Sequence, residues 1–227
     1  MDLFRAIRML VPPAWQNVRN FWIELKGENN GVTIDGNDGQ YNAGGIQLFG
    51  EGGTEVFEDI TISNNTFRDF INADPGGMLT DGSGFLGAIA VSVTNATSSA
   101  SDITITGNEI TLAEDQVFDE FDLNSLIFVN GNVTDGGDDA DASSLVVDGN
   151  TISIVETSEQ AILDAQTGTA NFDGTLSGIF VGQGVQDNVQ ITNNIVSESV
   201  TLEKIAGVYI AANPFLSADI LIHRFIV

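Results

Sequence analysis

The chain contains no cysteine. Disulfides, thiol catalysis and zinc held by thiolates are therefore excluded. Lysine is nearly absent, with only Lys26 and Lys204, and the single histidine is His223. Seven Lys and Arg stand against 32 Asp and Glu, a formal net charge of −25. Binding to DNA or RNA through phosphates needs clustered Lys and Arg, so nucleic acid is excluded as a partner. An anionic membrane surface is excluded for the same reason. Such a charge disfavours self-association at low salt and suits a high-salt or calcium-rich setting, where repulsion is screened or neutralised. No run of about 18 apolar residues occurs, so no membrane-spanning helix and no membrane insertion are expected. No signal peptide is visible. The apolar stretch at the N-terminus is broken by Arg5 and Arg8 and stopped by Pro12-Pro13. Only 4 prolines accompany 25 glycines, which implies many turns and little linker.

Repetition is what the chain does have. Ile60-Thr61-Ile62-Ser63-Asn64-Asn65, Ile103-Thr104-Ile105-Thr106-Gly107-Asn108, Leu145-Val146-Val147-Asp148-Gly149-Asn150 and Val189-Gln190-Ile191-Thr192-Asn193-Asn194 share one pattern. Each is a β-branched run, a turn and a final Asn. The final Asn recurs at 65, 108, 150 and 194, in steps of 43, 42 and 44 residues by subtraction. A fixed step of this size is the mark of a stacked-repeat architecture. Val32-Thr33-Ile34-Asp35-Gly36-Asn37 reads as an early partial copy.

A second row keeps pace with the first. Its copies are Gly45-Ile46-Gln47-Leu48, Gly87-Ala88-Ile89-Ala90-Val91, Leu126-Ile127-Phe128-Val129, Gly178-Ile179-Phe180-Val181 and Gly207-Val208-Tyr209-Ile210. Both rows alternate with period 2, as half-buried strands require. Two rows in fixed order, one closed by Asn, predict coils that stack in parallel with inward Ile and Val forming columns. Asn suits the corner because it tolerates left-handed geometry. Buried, it can bond to the Asn of the next coil, so Asn65, Asn108, Asn150 and Asn194 are expected to form a ladder.

These repeats, about residues 30 to 222, resemble the parallel β-helix repeat of pectin-lyase-like proteins. The resemblance implies an all-β fold, a single-stranded right-handed parallel β-helix of about five coils with variable excursions between them. It also implies two functional classes, since this superfold carries many roles. One is a carbohydrate-active enzyme, either a lyase with Ca²⁺ and an Arg or Lys base or a hydrolase with paired carboxylates. Arg68 and Lys204 are the only basic residues between the first coil and Arg224, and neither lies in a lyase-like motif. A Gly-His-Gly element and an Arg-x-Lys element are both missing. The other class is a non-catalytic module with a structural, adhesive or carbohydrate-binding role, and this is the reading the residues favour. No catalytic residue is assigned.

Two groups of residues carry binding expectations. Asp135, Asp138, Asp139 and Asp141 supply four carboxylates within seven residues, a donor set suited to Ca²⁺. Glu114, Asp115, Asp119, Glu120 and Asp122 form a second acidic group without EF-hand spacing. Phe128, Phe180 and Tyr209 hold one alternation position in the second row, shared with Gln47 and Ala90 in earlier copies. An outward Gln predicts outward rings, a ladder suited to stacking on carbohydrate or on another surface protein.

The chain ends are read separately. Met1 to Asn17 is similar to a stretch of the amidotransferase domain of glutamate synthase large subunits. That resemblance covers 17 of 227 residues and includes no counterpart of the family's catalytic cysteine, so it implies no such activity. Asp2 can cap a helix that places Leu3, Phe4, Ile7, Leu10 and Val11 on one face and ends at Pro12-Pro13. Residues 1–29 are thus expected to be an N-terminal segment with a short cap helix, and 30–227 the repeat domain. Ser158 to Ala165 is the best later helix signal. The apolar end Ile220 to Val227 points to a longer protein or to end-to-end pairing of subunits. The expected setting is extracellular or at a cell surface.

Overall fold

The structure, a computed structural model, describes residues 3–5, 9–10, 23–40, 45–50, 53–70, 87–112, 125–134, 144–154, 176–182, 184–185, 188–198, 205–210 and 221–223. Among these residues every element is a strand, and all named strand pairs are parallel. The strands form three sheets.

Sheet A carries the asparagine row. It runs β1 (Leu3–Arg5), β5 (Thr33–Asp35), β8 (Val56–Ser63), β11 (Ser99–Thr106), β15 (Leu145–Asp148), β18 (Val189–Thr192) and β21 (Leu221–His223), with β4 (Glu28–Asn30) beside β8 and β14 (Val133–Thr134) beside β11. Sheet C carries the second row. Its strands are β3 (Ile23–Leu25), β7 (Ile46–Phe49), β10 (Ile89–Val93), β13 (Ser125–Gly131), β17 (Leu176–Val181) and β20 (Ile205–Ile210), in that order.

The third sheet corrects the two-row expectation. Sheet B consists of β2 (Met9–Leu10), β6 (Asp38–Gln40), β9 (Thr66–Phe70), β12 (Glu109–Leu112), β16 (Thr151–Ile154) and β19 (Ile195–Glu198). The chain therefore has three strand rows, and each full repeat visits sheets C, A and B before returning to C. Five strands of sheet B, β6, β9, β12, β16 and β19, start directly after a ladder Asn. Four of them, β9, β12, β16 and β19, place Phe67, Ile110, Ile152 and Val196 in the core two residues after that Asn, so close that the row runs on from the asparagine row in the sequence.

The core lies between the sheets. Inward residues stack in register: Ile34, Ile62, Ile105, Val147 and Ile191 in sheet A, and Ile46, Ile89, Ile127 and Ile179 in sheet C. All nine are fully buried in one cluster with the sheet B column. Each such side chain contributes roughly 1.5–3 kcal/mol relative to exposure. A one-residue slip would turn a whole strand's set outward, so the aliphatic columns pin the register.

At the N-terminal end the expected cap helix does not form. Leu3–Arg5 pairs with Thr33–Asp35, and Met9–Leu10 pairs with Gly39–Gln40. The open edges of β5 and β6 offer unpaired backbone groups, and satisfying them outweighs helix propensity. Paired strands occur on both sides of position 29/30, and β4 spans it. Ser158 to Ala165 lies outside the described residues.

Candidate functional site

The most ordered polar feature is the asparagine column, and it has five rungs. Asn37, Asn65, Asn108, Asn150 and Asn194 are each between 0% and 2% exposed. From one rung to the next, the backbone N–H and the side-chain Nδ2 both donate to the following Oδ1. The pairs are 3.1 and 2.9 Å for Asn37 to Asn65, 3.0 and 3.0 Å for Asn65 to Asn108, 2.9 and 2.9 Å for Asn108 to Asn150, and 3.0 and 2.9 Å for Asn150 to Asn194. The second Nδ2 proton goes to a carbonyl of the preceding repeat, such as Ile34, Ile62, Ile105 or Val147, at 2.8–3.0 Å. The backbone carbonyls of Asn37, Asn65, Asn108 and Asn150 accept the first N–H of the next sheet B strand, each at 2.8 Å. In the middle rungs, Asn65, Asn108 and Asn150, every side-chain amide atom is satisfied, which is what makes burial of these amides favourable. Asn65, Asn108, Asn150 and Asn194 are brought together as the spacing predicts. Asn37 joins them, its signal being the Asp-Gly-Asn of the early partial copy.

The corner geometry differs from expectation in one respect. The left-handed residue is not the ladder Asn but the one before it. Gly36, Asn64, Gly107, Gly149 and Asn193 have φ of +66°, +52°, +64°, +65° and +53°. Only Gly and Asn fill this position, the two residue types that enter this region most readily. The ladder side chain must instead point inward from extended backbone to reach its neighbours.

A second polar column lies just outside this corner, and sequence reading missed it. Asp35 Oδ1 accepts from Ser63 Oγ at 2.7 Å and from Asn64 Nδ2 at 2.8 Å. Asp148 Oδ1 accepts from Thr192 Oγ1 at 2.5 Å and from Asn193 Nδ2 at 2.9 Å. Where Gly stands at the left-handed position the residue before it is Asp or Thr. Where Asn stands there, its amide reaches the Asp of the previous repeat. The legible signal was the recurrence of Asp-Gly-Asn at 35–37 and 148–150, each followed one repeat later by a hydroxyl and two asparagines.

The rings of Phe128 and Phe180 lie on the outer face of sheet C. Phe128 and Phe180 are register partners, as are Phe180 and Tyr209. The rings of Phe128 and Phe180 stack at 4.9 Å between centroids, 5° from parallel. Their neighbours Ile127, Val129, Ile179 and Val181 belong to the core cluster, so the alternation directs both rings away from it. The outer face is nevertheless covered at this level. Phe128 is only 7% exposed, and Gln47, Ala90 and Ser92 in the same outer columns are 1–2% exposed. The fully exposed ring ladder expected from the alternation is thus corrected: Phe180 alone of the stacked pair is partly open.

The remaining candidates are the acidic groups, Arg68 and His223. Asp135, Asp138, Asp139 and Asp141, with the acidic group from Glu114 to Asp122, lie outside the described residues. Among the described residues no three His, Cys, Asp or Glu side chains come together as a metal-ligating group. Arg68 projects from sheet B and binds Asp38 in the neighbouring repeat, with Nη2 at 2.6 Å from both carboxylate oxygens and Nε at 3.1 Å from Oδ1. Its guanidinium is therefore an ion-pair partner along the stack. His223 belongs to β21, paired with Thr192. The chain matches no protein-family model, no curated protein and no solved structure.

Proposed function

We propose that the chain is a right-handed parallel β-helix that serves as a non-catalytic, rod-like module of a surface or secreted protein, with a structural, adhesive or carbohydrate-binding role. The strand order supports the winding, because each repeat adds one strand to each of three sheets and pairs in parallel with its neighbour. Parallel crossovers of this kind are right-handed in nearly all cases. The observation that carries the functional reading is the asparagine column. Five buried amides bind one another along the axis, so the polar groups of the interior are taken up by cohesion between repeats. Phe180, backed by Phe128 and followed in register by Tyr209, is the surface on which a sugar ring or a partner protein would rest. Calcium at Asp135, Asp138, Asp139 and Asp141 would lower the repulsion of a chain of net charge −25.

Three measurements on the purified chain test this. Sedimentation with insoluble polysaccharides should retain wild type and lose the Phe180→Ala variant, and incubation with polygalacturonate should yield no new reducing ends or unsaturated products. Cleavage of that polymer would replace the module reading with the enzyme. Thermal unfolding in millimolar CaCl₂, against MgCl₂ and NaCl at equal ionic strength, should show a rise specific to calcium. An equal rise in all three salts would remove the calcium sites and leave charge screening.

A further inference from the structure

The turn after β10 holds Asn95-Ala96-Thr97, one of three Asn-x-Thr triplets among the described residues, beside Asn64-Asn65-Thr66 and Asn132-Val133-Thr134. Such triplets are acceptors for N-linked glycans where an enzyme can reach them. Their structural settings differ sharply.

In Asn64-Asn65-Thr66 the acceptor Nδ2 donates to Asp35 at 2.8 Å. The middle residue is a buried ladder rung, and the Thr66 N–H is tied to the Asn37 carbonyl. In Asn132-Val133-Thr134 the acceptor Nδ2 donates to the Ser98 carbonyl at 3.2 Å, Val133 is fully buried, and Val133–Thr134 is the strand β14, paired with β11. A transferase must draw the triplet's backbone into its own cleft. At both places that means stripping a strand and a buried side chain from the stack.

Asn95-Ala96-Thr97 lies outside every strand, with Ala96 and Thr97 exposed and Asn95 half-buried. The Asn95 Oδ1 accepts the Thr97 backbone N–H at 3.1 Å, and Thr97 Oγ1 lies 3.0 Å away. This is an Asx turn, formed locally within the triplet. The turn is anchored on either side, by the Asn95 N–H on the Gly50 carbonyl at 3.3 Å and the Ser98 N–H on the Asn95 carbonyl at 3.0 Å. The Thr97 hydroxyl is held in place by the Gly53 carbonyl, 2.6 Å away.

We infer that Asn95 is an acceptor for an N-linked glycan, and that the folded chain takes the glycan there and not at Asn64 or Asn132. The donor is a lipid-linked oligosaccharide pyrophosphate. Asn95 Nδ2 forms a bond to the anomeric carbon, the bond from that carbon to the pyrophosphate oxygen breaks, and the lipid pyrophosphate leaves with the electron pair. Nδ2 gives up one proton to a base of the transferase. The Thr97 N–H at Oδ1 stabilises the negative charge that gathers on the amide oxygen as that proton departs.

The test uses the full, folded chain from a host without N-glycosylation. It is incubated with a single-subunit oligosaccharyltransferase that requires only Asn-x-Thr or Asn-x-Ser, together with its lipid-linked donor, and read by intact and peptide mass spectrometry. One glycan mass per chain is expected, on the peptide containing Asn95. The Asn95→Gln and Thr97→Val variants should lose it, and Thr97→Ser should retain it. A folded chain that gains no mass, or gains it at Asn64 or Asn132 in place of Asn95, overturns the inference. The Thr97→Ser variant guards against a folding defect, because it keeps the hydroxyl held by Gly53.

Discussion

Asn64 Oδ1 stands 2.9 Å from where a Cβ on Gly107 would be. The two residues hold the same left-handed position in adjacent repeats, with φ of +52° and +64°. Gly107 is therefore required twice, by its backbone and by its neighbour. Gly149, at φ +65°, meets nothing within 4 Å. Gly149→Ala should cost about 1–2 kcal/mol for left-handed backbone. Gly107→Ala should cost more, since Asn64 must also move off Asp35. Gly149→Asn should cost less than Gly149→Ala, because Asn64 and Asn193 already fill this position elsewhere. Urea midpoints of the three variants rank these effects. A Gly107→Ala variant as stable as Gly149→Ala would remove the steric half of the explanation.

Asn108 is a middle rung, with two donors arriving at its Oδ1 and its Nδ2 bound to Asn150 Oδ1 and the Ile62 carbonyl. Asn108→Ala strands several buried groups, each costing about 1–3 kcal/mol. A loss of at least about 3 kcal/mol is expected. Asn108→Asp should behave differently with pH. Burial raises the folded carboxyl's pKa above its unfolded value, so the variant is least stable at neutral pH, where the carboxylate faces Asn150 Oδ1. Stability should recover as pH falls through the raised folded value, because the protonated acid can donate. A loss independent of pH between neutrality and the unfolded carboxyl range would contradict this. Thermal melts across that range decide it.

The Phe128 and Phe180 rings should couple. Phe128→Ala removes a buried ring and should cost about 3 kcal/mol or more, with a smaller loss for the partly open Phe180. The double variant should show an interaction of about 0.5–1.5 kcal/mol. Strict additivity would mean that the stack contributes only through burial.

Salt should act in opposite directions on two quantities. The Arg68–Asp38 pair is exposed, with side chains 48% and 41% accessible, so Arg68→Ala should cost less than about 1 kcal/mol. That deficit should shrink as NaCl is raised, while the melting temperature of the wild type climbs because repulsion within a chain of net charge −25 is screened. A wild-type melting temperature that falls with NaCl would show that self-repulsion does not limit stability.

The parts of the fold that sequence reading found are those with two independent signals. The asparagine row has β-branched alternation and a fixed step, and its register in sheet A agrees residue for residue from Ile62 to Ile191. Sheet B was missed because β6, β9, β12, β16 and β19 begin directly after the ladder Asn and run on from the asparagine row. It left one clue, an apolar residue two places after each Asn, at Phe67, Ile110, Ile152 and Val196. Helix periodicity at Leu3, Phe4 and Leu10 was genuine but local, and the pairing offered by Thr33–Asp35 and Gly39–Gln40 overrode it. The Asp35 and Asp148 bonds depend on which repeats adjoin, which a single copy of the motif does not reveal.

One corner of the repeat permits no change of length. Ile34, Ile62, Ile105, Val147 and Ile191 each precede their ladder Asn by three residues, while Phe67, Ile110, Ile152 and Val196 follow it by two. The step between successive ladder residues does vary: from Asn37 to Asn65 it is 28 residues, and the later ones are 43, 42 and 44. Natural variation and engineered inserts should therefore collect between the strands, away from these six-residue blocks and from the buried columns of sheet C. The asparagine works as a ruler mark, against which each repeat is free to grow or shrink without shifting the repeats on either side.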